Sequence, residues 1–135
     1  MRKIIMGLLT VLAVCGLTGC TLLSEERVKL RDLDFTVLSE EKIPGELMTI
    51  IEEKKQEPFK ITYSDNEFLY ICIGYGAQET GGYSIAVNEL YLTDTAIYVN
   101  TSLLGPGPEE KNNKTASYPY IVIKTEFMDQ TVVFE

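Results

Sequence analysis

The second half of the chain most strongly constrains the fold, because from Phe59 onward it is a series of short segments with strand character. These segments are rich in β-branched and aromatic residues, and clusters of Gly, Pro, Asn, Asp and Ser separate them. The predicted strands cover residues 59–63, 68–75, 83–92, 96–104, 120–127 and 131–134. Turns at 93–95 and 128–130 then make the third and fourth strands one hairpin and the last two strands a closing pair.

Two further elements precede this strand-rich region. Leu33, Phe35 and Val37 alternate with polar residues, which is the pattern of a half-buried strand. Residues 44–56 have the pattern of a helix, with apolar residues on one face and Pro58 shortly after its end. The sequence therefore predicts an α+β fold in which one helix covers one face of a largely antiparallel sheet of six or seven strands.

Two local features refine this prediction. The apolar phase of segment 83–92 shifts at Asn88 or Glu89, which predicts a β-bulge there. Cys72 lies in the middle of the apolar segment 68–73, so we expect a buried core thiol rather than a reactive one.

The N-terminus has the pattern of a secretory signal. Arg2 and Lys3 precede an apolar run at 4–17, which is too short for an ordinary spanning helix. The run ends in Leu17-Thr18-Gly19-Cys20, which resembles the bacterial lipoprotein signal. That resemblance implies cleavage before Cys20, a diacylglyceryl group on its sulfur and an acyl chain on its new amine.

This assignment predicts three parts: a signal peptide at 1–19, a lipidated tether at 20–32 and an α+β domain at 33–135. Cleavage leaves 116 residues (135 − 19), with 10 Lys and Arg against 20 Asp and Glu, so the charge changes from −8 to −10. We expect the protein at the cell membrane, facing outside the cytoplasm and held there by lipid, because an acidic body is repelled by anionic lipid.

Composition excludes several function classes. The chain has no His, which removes Ser/His and Cys/His catalysis and the commonest zinc ligand. Its acidic balance argues against nucleic-acid binding, which depends on clustered Lys and Arg. We therefore expect a non-enzymatic protein with no catalytic residue, no metal and no cofactor other than the lipid on Cys20.

Two short motifs are candidates for a binding surface. Gly81 and Gly82 directly precede the aromatic strand that begins at Tyr83, and Tyr118-Pro119-Tyr120 opens the penultimate strand after a long loop. One interpretation is structural, with turn glycines and core tyrosines. The other is a recognition edge at one end of the sheet, because Tyr is enriched at protein interfaces.

At these residues the chain resembles a known family. The ordered set comprises Ile43-Pro44-x-Glu46-Leu47, Gly74-x-Gly76, Thr80-Gly81-Gly82-Tyr83-Ser84-Ile85, a Pro-Gly-Pro loop and Tyr118-Pro119-Tyr120-Ile121-Val122-Ile123. It is similar to the PrcB-type C-terminal domain, named for a lipoprotein subunit of a surface protease complex. The resemblance covers about residues 33–127 and implies a non-catalytic, surface-anchored subunit that binds and stabilises a protease.

Three functions follow from these features. The favoured one is a lipid-anchored domain that docks a secreted protease or another envelope protein through loops 76–83 and 105–120. The second is a small-ligand or glycan-binding lipoprotein, which requires a concave aromatic pocket. The third is a weak hydrolase, which requires a pair of carboxylates in a cleft.

Overall fold

Two four-stranded sheets lie face to face, and one helix covers the outer face of the second sheet. The computed structural model describes residues 28–108 and 114–135. In chain order the elements are β1 (Arg31–Asp32), β2 (Thr36–Val37), a 3₁₀ turn (Glu40–Lys42), α1 (Gly45–Lys54), β3 (Pro58–Ser64), β4 (Phe68–Tyr75), β5 (Ser84–Leu92), β6 (Ala96–Leu104), β7 (Tyr120–Glu126) and β8 (Thr131–Phe134).

The single sheet predicted from the sequence is therefore wrong, although one helix on a largely antiparallel sheet is confirmed within the described residues. Sheet I has the strand order β1-β5-β6-β8, and sheet II has the order β2-β7-β4-β3. The physical reason lies in β4, whose six central residues are all buried. A strand that is apolar on both faces needs a layer on each side, and here sheet I and α1 supply the two layers.

The two faces of sheet II belong to separate cores. Between the sheets lie mainly Leu and Ile side chains: Leu33, Leu69, Ile71, Ile73, Leu90, Leu92, Ile97, Val99, Ile121 and Ile123. Between sheet II and the helix lie Ile43, Leu47, Ile51, Tyr70, Cys72 and Val122. The predicted helix face is confirmed for Leu47 and Ile51, which are fully buried, while Met48 is half-buried beside them. The predicted burial of Cys72 is also confirmed.

The predicted closing pair of the last two strands is wrong. β7 already has β2 on one side and β4 on the other, so it has no free edge for β8. β8 instead joins sheet I, where it pairs in parallel with β6. The turn after β7 thus carries the chain from one sheet to the other.

The predicted strand at 33–37 is also divided between the sheets. Arg31 and Asp32, placed in the tether by sequence, form β1 and pair with β5, whereas Thr36 and Val37 form β2 and pair with β7. Between them only Leu33 is buried, because the chain crosses from sheet I to sheet II at this point. Alternation over five residues does not distinguish one strand from such a crossing.

The predicted bulge is confirmed by a register shift between Val87 and Glu89 in the β5–β6 pair. Asn88 occupies the extra position, and its side-chain amide donates to Asn100 Oδ1 at 2.6 Å and Ser102 Oγ at 2.7 Å. Across residues 28–108 and 114–135, no helix is long and apolar enough to span a bilayer.

Candidate functional site

The two loops predicted to form a recognition edge meet at one end of the sandwich, which we call the loop end. It comprises residues 76–83, 105–108 and 114–119. Gln78 and Ser117 form an antiparallel bridge, in which each backbone N–H donates to the other residue's carbonyl, at 2.8 and 3.0 Å. The Ser117 hydroxyl also donates to the Thr80 carbonyl at 2.6 Å. These three hydrogen bonds fix the two loops against each other.

The loop end is also tied to the ends of the strands. The Tyr75 N–H at the end of β4 donates to the Pro119 carbonyl at 3.0 Å, so the second loop runs alongside sheet II. The hydroxyls of Tyr75 and Thr101 lie 2.6 Å apart, which joins sheet II to β6 of sheet I. The loops are therefore held by both sheets.

The glycine pair begins β5 with a sharp turn. Gly82 has a φ of +86°, a backbone conformation that a residue with a Cβ adopts only with strain. This geometry turns the chain toward β5, which begins at Ser84. Tyr83, directly before that strand, is half-buried. Gly81 is half-buried, while Gly82 is exposed.

Tyr118, Pro119 and Tyr120 line a groove of about 330 Å³ on the helix side of sheet II, which we call the tyrosine groove. Its remaining lining residues are Val37, Leu38, Ser39, Glu40, Ile43, Ile121 and Val122. The Lys55 ammonium lies 5.2 Å from the centre of the Tyr118 ring, a cation–π contact that positions this ring at the rim.

Tyr120 is the inner wall of the tyrosine groove. Its hydroxyl donates to the Met48 sulfur at 3.9 Å. Burial, with a smaller effect from the nearby carboxylate of Glu40, raises the pKa of Tyr120 to about 12. The phenol therefore stays neutral over the physiological range and acts as an apolar ring with one hydrogen-bonding tip.

The structure thus brings the six predicted contact residues to one end but not to one surface. Tyr118, Pro119 and Tyr120 line the tyrosine groove. Gly81, Gly82 and Tyr83 lie in the neighbouring loop, which reaches the first group through Ser117, and Tyr83 itself leads into sheet I. Cys20 and the predicted signal peptide at 1–19 lie outside the described residues.

A second concave surface was not predicted from the sequence. We call it the apolar groove; it has a volume of about 530 Å³ and lies where the ends of β3 and β4 face β6 and β8. Its lining residues are Pro58, Phe59, Lys60, Ile73, Gly74, Tyr75, Val99, Thr101, Phe134 and Glu135. The groove is formed by strands that are far apart in sequence. The one local sequence feature associated with it is Gly74, a glycine within an apolar strand.

The polar side chains that line the tyrosine groove and the apolar groove are hydroxyls, Lys60 and two carboxylates, those of Glu40 and Glu135. In residues 28–108 and 114–135, no group of three or more Cys, Asp or Glu is arranged to hold a metal ion. Burial raises the pKa of the Cys72 thiol to about 12, so that group stays protonated in the core.

Comparison with known families identifies the region that contains this site. Residues 69–126 match the family described as PrcB C-terminal. This segment runs from β4 to the end of β7 and contains both loops and all six predicted contact residues. The resemblance found in the sequence is confirmed for this segment. Comparisons with curated proteins and with solved structures gave no match.

Proposed function

Because the chain carries a PrcB-type C-terminal domain, we propose that it is a non-catalytic, lipid-anchored envelope protein that binds a partner protein through its loop end. A secreted protease is the partner class that the resemblance to this family implies. One observation carries the proposal: the family segment at 69–126 contains both joined loops and the Tyr118-Pro119-Tyr120 side of the tyrosine groove, while residues 37–43 outside the segment form the other side.

The surface chemistry of the loop end supports a protein partner. Tyr118 and Tyr120 present rings with polar tips along a groove, and Pro119 between them keeps the backbone stiff. Tyrosine rings in such positions supply large contact area at a low cost in side-chain entropy. The fixed loops lower the ordering cost of association further.

The described fold begins at the end of the sandwich opposite the loop end, which supports membrane anchoring at that opposite end. The Leu30 N–H donates to the Leu92 carbonyl at the end of β5, whereas β5 begins beside the loop end at Ser84. Val28 is eight residues from Cys20, so a lipid on Cys20 is at most about 29 Å from Val28 along an extended tether. Anchored in this way, the domain presents its loop end away from the membrane.

Affinity purification from detergent extracts tests the proposal. Tagged full-length protein is cross-linked in cells, purified and compared with the variants Tyr83→Ala and Tyr118→Ala. We expect one protein partner at a fixed ratio with the wild type and a several-fold loss with each variant. Tyr98→Ala is the matched control, since it also removes a half-buried tyrosine ring but lies on the outer face of sheet I, away from both ends of the sandwich.

Two results would contradict the proposal. The first is that no partner is recovered with the wild type, and the second is that recovery falls equally with Tyr98→Ala and Tyr118→Ala. Thermal unfolding of each purified variant separates loss of contact from loss of fold.

The apolar groove supports a second candidate function, binding of a small ligand. Its volume of about 530 Å³ and the rings of Tyr75 and Phe134, which lie on the side of sheet II that faces sheet I, are typical of sites for small apolar molecules. Ligand-dependent thermal stabilisation of the purified protein tests this function. If no compound in a library of apolar molecules and oligosaccharides raises the unfolding temperature of the wild type, small-ligand binding is contradicted.

A further inference from the structure

The end of the sandwich opposite the loop end carries an amphipathic groove with a distinctive set of charges. We call this end the tether end; it comprises residues 28–35, 65–67, 93–95 and 127–130. The groove has a volume of about 450 Å³ and is lined by Arg31, Leu33, Asp34, Phe35, Thr36, Phe68, Lys124, Thr125, Glu126 and Met128. The groove lies where the chain crosses from β1 in sheet I to β2 in sheet II.

The groove contains two cations and two carboxylates that are not paired with one another. The described ion pairs are Lys29 with Asp32 and Lys55 with Glu52, so Arg31, Asp34, Lys124 and Glu126 make none with described residues. The Lys124 ammonium lies 3.9 Å from the centre of the Phe68 ring, at the apolar floor of the groove. Because no described residue forms an ion pair with them, these four charges are available to a ligand that itself carries both signs.

Exposed apolar side chains lie at the same end of the sandwich as this groove. The described residues expose six large hydrophobic side chains, and four of them lie at the tether end: Val28 (66% exposed), Leu30 (58%), Phe35 (40%) and Phe127 (39%). Phe127 is held there by its N–H, which donates to the Glu67 carbonyl at 3.1 Å. Phe35 follows Asp34, whose carbonyl accepts from the Thr125 hydroxyl at 2.7 Å. Exposed apolar residues concentrated at one end of the fold mark a contact surface.

We propose that the tether end rests on a zwitterionic phospholipid surface, with Arg31 and Lys124 at the lipid phosphates and Asp34 and Glu126 at the lipid ammonium groups. Phe35 and Phe127 then lie at the headgroup level, where aromatic rings are favoured. This inference rests on the lipid anchor at Cys20, which holds the tether end within about 29 Å of the bilayer.

Two observations favour lipid over a protein at this surface. The described fold begins at this end, so a lipid anchor at Cys20 keeps this end within reach of the membrane. The four charges that line the groove are balanced, which complements a headgroup that carries both signs. The tether end around the groove is acidic, with Lys29 and Arg31 against Asp32, Asp34, Asp65, Glu67, Asp94 and Asp129. A strongly anionic surface is disfavoured, because the mature chain carries a net charge of −10 (10 Lys and Arg against 20 Asp and Glu). The contact sets the orientation of the domain and keeps the loop end exposed.

Tryptophan reporters test this contact, because the chain has no natural Trp. Full-length protein carrying Phe127→Trp is expressed in bacteria, recovered from membranes and reconstituted into vesicles of phosphatidylcholine with or without bromine on the acyl chains. Leu104→Trp is the matched control, since Leu104 is 48% exposed and lies at the loop end. Phe35→Trp serves as a second reporter if Phe127→Trp fails to fold.

We expect the Phe127→Trp emission to shift to shorter wavelength and to lose most of its intensity in brominated vesicles, with little change for Leu104→Trp. Adding Arg31→Gln and Lys124→Gln to the reporter should restore much of the intensity, whereas Lys60→Gln should not. Replacing phosphatidylcholine by brominated phosphatidylglycerol should weaken the quenching.

The outcomes separate this inference from the proposed function. Protein that floats with the vesicles but shows equal quenching, or none, at both reporters overturns the membrane contact and leaves the anchor intact. Protein that does not float with the vesicles overturns the anchor and this inference together. Quenching that is equally strong in anionic vesicles overturns the choice of a zwitterionic surface.

Discussion

The ring of Phe59 lies directly against the backbone of Gly74, its partner across the β3–β4 pair. A Cβ placed on Gly74 would overlap this ring. Gly74 is therefore the residue that allows Phe59 to lie over the sheet, where it packs against the helix-side core and lines the apolar groove. A glycine covered by a cross-strand aromatic ring recovers part of the packing that glycine itself lacks.

Replacing Gly74 by Ala should destabilise the fold by about 1–3 kcal/mol, because the added methyl group overpacks a filled site. Denaturant unfolding followed by circular dichroism measures this change in the free energy of unfolding. Gly105→Ala is the control, since no atom lies within 4 Å of a Cβ at Gly105. A Gly74→Ala variant as stable as the Gly105→Ala variant would contradict the contact. In the double variant with Phe59→Ala, the two costs should be less than additive.

The Cys72 thiol should resist both labelling and alkali in the folded protein. Burial raises its pKa to about 12, against about 8.5 for an unperturbed thiol, so folding favours the protonated form. The contribution of the protonated thiol to the free energy of unfolding is complete below about pH 8.5 and is lost as pH rises toward 12. In a Cys15→Ser/Cys20→Ser background, a maleimide reagent at pH 8 should label Cys72 far more slowly in buffer than in guanidinium chloride. Equal rates would contradict burial of the thiol.

Asp65 should contribute to stability in an acid-sensitive way. Its carboxylate accepts hydrogen bonds from the backbone N–H of Phe68 at 2.7 Å and of Glu67 at 2.8 Å, which lowers its pKa. Because the pKa of Asp65 is lower in the folded state, its ionised carboxylate stabilises the fold at pH values above the unfolded pKa of about 3.9. This stabilisation is lost as pH falls through the folded pKa. Asp65→Asn should therefore lower Tm at pH 7, and the two Tm values should converge as pH falls below about 4. A Tm difference that is constant with pH would refute this role.

Cys20→Ser should move the protein from the membrane fraction to the soluble fraction of fractionated cells, because the substitution removes the sulfur that would carry lipid. Cys15→Ser is the matched control, since it changes a cysteine within the apolar run of the signal. Metabolic labelling with a radioactive fatty acid should mark the wild type and Cys15→Ser but not Cys20→Ser. Membrane retention of Cys20→Ser would refute the lipoprotein assignment.

Local patterns predicted the individual elements well. The bounds of β4 and β6 agree with the prediction to the residue, because each is a continuous run with turn residues on both sides. The bulge beside Asn88 left a change of apolar phase in the sequence, and Leu47 and Ile51 marked the buried helix face. These features depend on residues within one segment.

The predictions that were wrong concern which strand edges are already paired with a neighbouring strand. Nothing in residues 131–134 shows that β7 is paired on both sides, so a simple hairpin was expected where β8 instead joins β6. The same limit hid the apolar groove, whose lining residues Phe59, Tyr75 and Phe134 come from three separate strands. The loop contact between Ser117 and Thr80 was predicted only as two loops at one end, without the hydrogen bond that joins them.

Site-specific photo-cross-linking in intact cells tests the central claim most directly. A photoreactive phenylalanine analogue replaces Tyr118 at the loop end or Phe127 at the tether end, in the full-length chain. The account predicts one discrete protein adduct from position 118 and no protein adduct from position 127, with mass spectrometry identifying the partner. A protein adduct from position 127 alone, or none from position 118 in cells that retain the protein at the membrane, would contradict it.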